Sequence, residues 1–249
     1  MTEKTWLERR DHSDGVTEIC LQRAPVNALC PEFLMDFAQM VEDLERDSTV
    51  GAIVITSDFK VLSAGLDLKE AQTYDLEQQQ AIVHGLNMGF LALFSCPKPT
   101  VCAVNGAAIA GGLFFVLASD LRVAHPSARL GLAEVRVGAD FPVGPMEIAR
   151  SSLDPNTLRR LMLTGHPMSA EDALRFGVVD VIDEKTRERA LVEAARLAQN
   201  PPGTYAAIKR QIRNATIQDI ERAAAHGANA PKGGWFNDET RAAMARMIG

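Results

Sequence analysis

Apolar and polar positions follow two rhythms along this chain, and the balance between them shifts with position. Short runs rich in β-branched residues start near Leu7 and recur at Val16–Leu21, 52–56 and 101–104. Polar or glycine-containing stretches bound each run, which predicts strands. Between the runs the apolar spacing is helical. Over 31–46, Phe33, Phe37, Met40, Val41 and Leu44 share one face, and Pro31 stands at the start, where its missing N–H costs nothing. A second helix is predicted over about 76–94. It must stop before Cys96-Pro97-Lys98-Pro99, because proline neither donates to a helix nor fits inside one. Residues 113–118 are apolar on all sides and predict a short buried helix.

Strand and helix alternate to about residue 183, which implies crossover connections and largely parallel pairing. After that the pattern is helical alone, over 184–200, 204–215, 217–226 and 238–247. Asn200-Pro201-Pro202-Gly203 and Pro231-Lys232-Gly233-Gly234 punctuate these helices. The expectation is an α/β core over 1–195 followed by a helical region over 196–249. No internal repeat or low-complexity tract interrupts either part.

Composition narrows the partners. The 249 residues are 47% hydrophobic, and a chain of this length buries roughly 70–75% of its unfolded surface without help from disulfides or metal. Net charge is −6, which argues against nucleic acid or an anionic membrane as a partner. Cys20, Cys30, Cys96 and Cys102 form no C-x-x-C pair, and His12, His84, His125, His166 and His226 lie far apart. The cysteines read as small apolar side chains, and no metal site is expected. The first residues are polar, unlike a secretory signal, and the longest apolar stretch, near 111–119, is too short for a bilayer. These features predict a cytoplasmic protein.

Three segments carry candidate chemistry. Ser63-Ala64-Gly65-Leu66-Asp67-Leu68 follows a predicted strand, and its small residues let backbone N–H groups approach a ligand. Taken alone it reads first as an ordinary strand-to-helix turn. Val104-Asn105-Gly106-Ala107-Ala108-Ile109-Ala110-Gly111-Gly112 leads into the apolar helix. Free N–H groups and the helix dipole there can hold an anion, unless the glycines only permit tight packing. It is neither Gly-x-Gly-x-x-Gly nor a phosphate loop ending in Gly-Lys-Ser/Thr. In Leu130-Gly131-Leu132-Ala133-Glu134-Val135-Arg136-Val137-Gly138, an extended chain would put Leu130, Leu132 and Glu134 on one face. If that face is buried, the carboxyl becomes a strong base through desolvation. The alternative is a surface Glu134–Arg136 ion pair.

In this order and combination the segments resemble the crotonase superfamily, the enoyl-CoA hydratases and isomerases. Arg23-Ala24-Pro25-Val26-Asn27-Ala28-Leu29 is similar to the family's early CoA-contacting loop. Ser119-Asp120-Leu121-Arg122-Val123-Ala124 and Leu163-Thr164-Gly165, followed by Ala173-Leu174-Arg175-Phe176-Gly177-Val178-Val179-Asp180, resemble its later landmarks. The resemblance implies a spiral of strand–strand–helix turns, with C-terminal helices that build trimers or hexamers. It implies an acyl-CoA thioester substrate, with CoA entering as part of that substrate and no separate cofactor. The N–H groups of Leu66 and Gly111 would form an oxyanion hole. Ala24, Val26, Ala64, Gly65, Asp67, Leu68, Phe114 and Asp140 would contact substrate. Hydratases of the family carry two glutamates; here one position holds Glu134 and the other Phe114. A single glutamate resembles the mitochondrial-type delta-3, delta-2-enoyl-CoA isomerases, as do Ser63–Leu68, Gly131–Glu134 and the placement of Pro142. Asp140 departs from that branch. As a second acid it would make the chain a hydratase or the catalyst of another crotonase reaction; as a loop cap it would be structural. Phe114 also leaves open an acyl-CoA binder without catalysis.

Overall fold

The computed structural model describes residues 6–248. Its strands are β1 (Leu7–Asp11), β2 (Val16–Leu21), β3 (Ala52–Ser57), β4 (Thr100–Val104), β5 (Ala107–Ile109), β6 (Leu121–Ala124), β7 (Arg129–Gly131), β8 (Met168–Ser169) and β9 (Val181–Ile182). One sheet has the order β1-β2-β3-β4-β6-β9, and a second has the order β5-β7-β8. In the large sheet β1 runs antiparallel to β2, Leu7 facing Leu21, and every other pair is parallel. Parallel strands need crossovers, and helices supply them. The helices are α1 (Pro31–Arg46), α2 (Leu68–Ala71), α3 (Leu76–Ser95), α4 (Phe114–Leu117), α5 (Val143–Ser152), α6 (Pro155–Thr164), α7 (Ala170–Arg175), α8 (Thr186–Ala198), α9 (Pro202–Ala223) and α10 (Asp238–Ile248).

β2 and β4 are buried at every position. A strand covered on both faces has no solvent side, so its sequence runs apolar instead of alternating. On one face Ile19, Leu21, Ile53, Ile55, Cys102 and Val104 meet the aromatic layer of α1, α3 and α4. There Phe37 and Phe90 stand edge-on to Phe115, at centroid distances of 5.0 and 5.2 Å. On the other face Val16, Val54, Ala103 and Val123 pack against Ala190 and Ala194 of α8. The four cysteines are all buried, in keeping with their reading as small apolar side chains. Among the described residues no helix is long and apolar enough to cross a membrane.

Two helices, 204–215 and 217–226, were expected where the structure has one. Nothing at Ala215 or Thr216 breaks α9, and the chain turns away only near Gly227, at φ +91°. A buried ionic group seats α9. Asp120 takes Lys209 at 2.7 Å, Arg213 at 2.9 Å and the Tyr205 hydroxyl at 3.0 Å. Arg213 also donates to the carbonyls of Phe94 and Ala118, and its guanidinium lies 4.2 Å from the centre of the Phe94 ring. α5 and α6, which the hydrophobic pattern did not announce, lie between the site loops and α7. Asp154 and Pro155 start α6, with Asp154 accepting from the N–H groups of Asn156 and Thr157.

Candidate active site

The second sheet brings two of the sequence segments together. Ser63 pairs with Ala108 across a parallel bridge, and Leu29 pairs with Leu66 across another. Leu29 N–H donates to Gly65 O at 2.8 Å, and Asp67 N–H donates to Leu29 O at 3.0 Å. Flanking residues thus satisfy the bridge, which leaves the Leu66 N–H directed away from Leu29. Gly65 lies at φ +82°, and a Cβ there would sit 2.7 Å from Ile109 O and 3.3 Å from Gly111 N. Only glycine permits that approach. Gly111 is the second residue of a tight 3-10 turn over Ala110–Leu113, so its N–H has no carbonyl within the turn to bond. Ala110 is held at φ +50°, a left-handed conformation that costs roughly 1–2 kcal/mol without a Gly.

The loop over 23–29 braces this arrangement. Ala64 N–H donates to Val26 O at 3.0 Å, and Ser63 Oγ donates to Asn27 O at 2.7 Å. Fully buried Asn27, at φ +49°, donates to Ser57 Oγ and Leu62 O at 2.8 and 2.9 Å. The sequence reading passed over Asn27; an Asn between apolar neighbours was the available signal. Asp67 caps α2 and pairs with Arg23 at 3.0 Å, while Arg23 also reaches Glu70 at 2.8 Å. Val26, Gly65 and Asp67 therefore support the loops; neither they nor Ala24, which is exposed, line the cavity described next.

A cavity of about 100 Å³ opens between these loops. Ala64, Leu66, Leu68, Gly111, Phe114 and Glu134 form part of its wall. Phe114 is packed between Phe90 and Phe141, at centroid distances of 5.5 and 6.4 Å. Glu134 is the one ionisable side chain among the described lining residues. It is 7% exposed, and its Oε2 has no hydrogen-bond partner among the described residues. Burial disfavours the charged form, so its pKa is pushed up to about 8, with a backbone hydrogen bond opposing in part.

The extended run expected through Glu134 ends early. β7 closes at Gly131, and Glu134 opens a 3-10 turn to Val137. Leu130, Leu132 and Glu134 are nonetheless all buried. The Glu134–Arg136 ion pair does not form. Arg136 lies instead against Gly165, where a Cβ would meet its Cγ at 2.7 Å. Gly138, at φ +63°, ends the turn, and its carbonyl accepts from Thr240 Oγ1 of α10 at 2.6 Å. Asp140 does not line the cavity. Exposed, it accepts from Trp235 Nε1 at 2.9 Å, a partner outside its own loop. Trp235, Met244 and Met247 complete the wall from the C-terminal region. No motif pointed to them, since they join the site only through tertiary packing. The chemistry available is that of one desolvated base beside two backbone donors, in an apolar enclosure.

A family profile described as enoyl-CoA hydratase/isomerase matches residues 11–234. A Thermus thermophilus protein bearing the name enoyl-CoA hydratase is 36% identical over 181 residues, 71% of this chain and 71% of its own length. A Mycobacterium tuberculosis structure titled as an enoyl-CoA isomerase is 28% identical, with a TM-score of 0.82, covering 91% of this chain and 98% of that one. The human mitochondrial delta3-delta2-enoyl-CoA isomerase has the same fold, with a TM-score of 0.85 over 98% of this chain and 96% of its own, at 24% identity.

Proposed function

The chain belongs to the enoyl-CoA hydratase/isomerase family, and from that premise we propose that it moves the C3–C4 double bond of a 3-enoyl-CoA to C2–C3. Glu134 takes a proton from C2, the electrons spread into a dienolate, and the same carboxyl returns the proton to C4. One group suffices because one proton leaves and one comes back. The N–H groups of Leu66 and Gly111 hold the thioester oxygen as it gains charge. Removing one such donor commonly costs about 3–4 kcal/mol of barrier.

The observation that supports isomerisation over hydration is that Glu134 is the one ionisable residue in the cavity wall among the described residues. Hydration needs a water positioned and activated as well as a proton delivered. Phe114 can do neither, and Asp140 is engaged with Trp235. The raised pKa of Glu134 supports a catalyst over a passive binder, because a base works best with a pKa near the operating pH. On this reading CoA arrives with the substrate, no other cofactor takes part, and the protein works in the cytoplasm. Exposed Ile208 and Ile212 on α9 support assembly into a trimer or a pair of trimers.

The test is direct. Pure protein is incubated with trans-3-hexenoyl-CoA and separately with crotonyl-CoA, and conjugated enoyl and 3-hydroxyacyl products are followed apart. Conjugated product from the first and little product from the second is expected. Rapid 3-hydroxyacyl formation overturns the proposal.

A further inference from the structure

We propose that Trp235 sets the length of acyl chain the cavity accepts, and that Asp140 is the positioning residue that aims its ring. The inference rests on the acyl-CoA reading above. It starts from a strap, residues 229–236, laid along α3 by three side-chain amides of that helix. Gln79 Oε1 accepts from the N–H groups of both Trp235 and Phe236, at 2.9 and 3.0 Å. Gln79 is itself buried, and its amide donates to Tyr74 O at 3.1 Å. Gln80 donates to Pro231 O at 3.2 Å, and Asn87 donates to Asn229 Oδ1 at 2.8 Å. Gly234, at φ +78°, lets the strap descend: a Cβ there would sit 2.5 Å from Gln79 Oε1.

The backbone at Trp235 is therefore fixed, and two torsions remain for its side chain. Phe236 stacks on the ring at 5.1 Å, and Asp140 fixes the indole through Nε1 at 2.9 Å. Of the three C-terminal residues in the cavity wall, Met244 and Met247 are flexible thioethers that can yield to a longer chain. The tethered indole cannot yield without losing its hydrogen bond. A carboxylate that reaches no reacting atom thus acts on the reaction through the wall it holds.

The test measures dissociation constants for saturated acyl-CoAs of four to fourteen carbons, and kcat and KM for the matching 3-enoyl-CoAs. The proteins compared are the wild type, Trp235→Ala, Trp235→Phe, Asp140→Ala and the double variant of the last two. Each extra buried methylene is worth about fourfold in affinity. Trp235→Ala is expected to raise the long-to-short ratio of kcat/KM at least tenfold. Trp235→Phe and Asp140→Ala shift the ratio the same way by less, and the double variant goes no further than Trp235→Phe. Wild-type tryptophan emission changes with acyl length on binding, and Trp235→Phe abolishes that dependence. Equal losses at every chain length, with only the melting temperature lowered, mean a purely structural latch and overturn the inference. A wild type that binds and isomerises acyl-CoAs while Trp235→Ala leaves the length ratio unchanged overturns this inference alone. A wild type that binds no acyl-CoA overturns the proposed function as well.

Discussion

Replacing Glu134 by Gln removes the proposed base and should at the same time stabilise the protein, by an amount that depends on pH. The carboxyl ordinarily titrates near 4.5, and burial raises it to about 8 in the folded chain. Between those values the folded state keeps a proton that the unfolded state has released. Stability from this group is therefore full below pH 4.5 and falls as pH rises toward 8. Each pH unit in the window is worth about 1.36 kcal/mol. At pH 7 the cost is then on the order of 3 kcal/mol, and above pH 8 on the order of 4–5 kcal/mol. Gln has the size and neutrality of the protonated carboxyl and does not titrate, so Glu134→Gln escapes the cost. For a chain of this length each kcal/mol shifts the melting temperature by roughly 2–4 °C. The assay is calorimetric or denaturant unfolding of both proteins from pH 4.5 to 8.5, taking the difference at each pH so that other carboxylates cancel. The gain should be near zero at pH 4.5 and grow steadily upward. Turnover of trans-3-hexenoyl-CoA should drop by about 100- to 10,000-fold, and wild-type kcat/KM should rise with pH through a midpoint near 8 as the base ionises. A stability difference that stays flat with pH would refute the desolvated state of Glu134, and wild-type turnover in the variant would refute its role.

Three further outcomes follow from the same geometry. Gly65→Ala forces a Cβ to within 2.7 Å of Ile109 O, so the two loops must part and kcat should fall on the order of 100-fold; unchanged kcat would show that their contact does not matter to the reaction. Crotonyl-CoA hydration by the wild type should run at least about 100-fold slower than isomerisation, since Phe114 occupies the wall beside Glu134; comparable rates would restore a two-acid mechanism. Asp120→Ala leaves Lys209 and Arg213 buried without their shared carboxylate and should cost about 3–5 kcal/mol in urea unfolding; a loss below 1 kcal/mol would mean that water reaches the group.

The parts of this site legible in the sequence are those whose chemistry is local. A glycine at φ +82° and paired glycines before an apolar helix leave a mark in residue type, because a Cβ would collide with Ile109 O or Ser63. Long strands and helices were legible for a related reason: full burial of β2 and β4 imposes apolar runs, and α1 needs an apolar face. Strands of two to four residues such as β5, β7 and β8 carry too few positions to set a period. Their pairing, and the isolated bridge that joins Ser63 to Ala108 of β5, are visible only in three dimensions.

For Glu134 the alternation left a buried carboxyl and a surface ion pair with Arg136 both open; the structure buries it, on a 3-10 turn that Thr240 of α10 anchors and not on an extended strand. Asp140 is a different case. Its sequence neighbourhood allowed a second acid or a loop cap, and its partner is Trp235, 95 residues away. Separations of that kind erase any local signal, because the two residues share no periodicity and no common turn. The C-terminal region therefore read only as helices, which the resemblance gave to oligomer assembly, although Trp235, Met244 and Met247 enclose the cavity and Thr240 anchors the turn that carries Glu134. Burial is what raises the pKa of Glu134, and Trp235, Met244 and Met247 share the cavity wall with it. The proposed base and the C-terminal residues thus share one enclosure, and only Glu134 fell in a segment marked locally in the sequence.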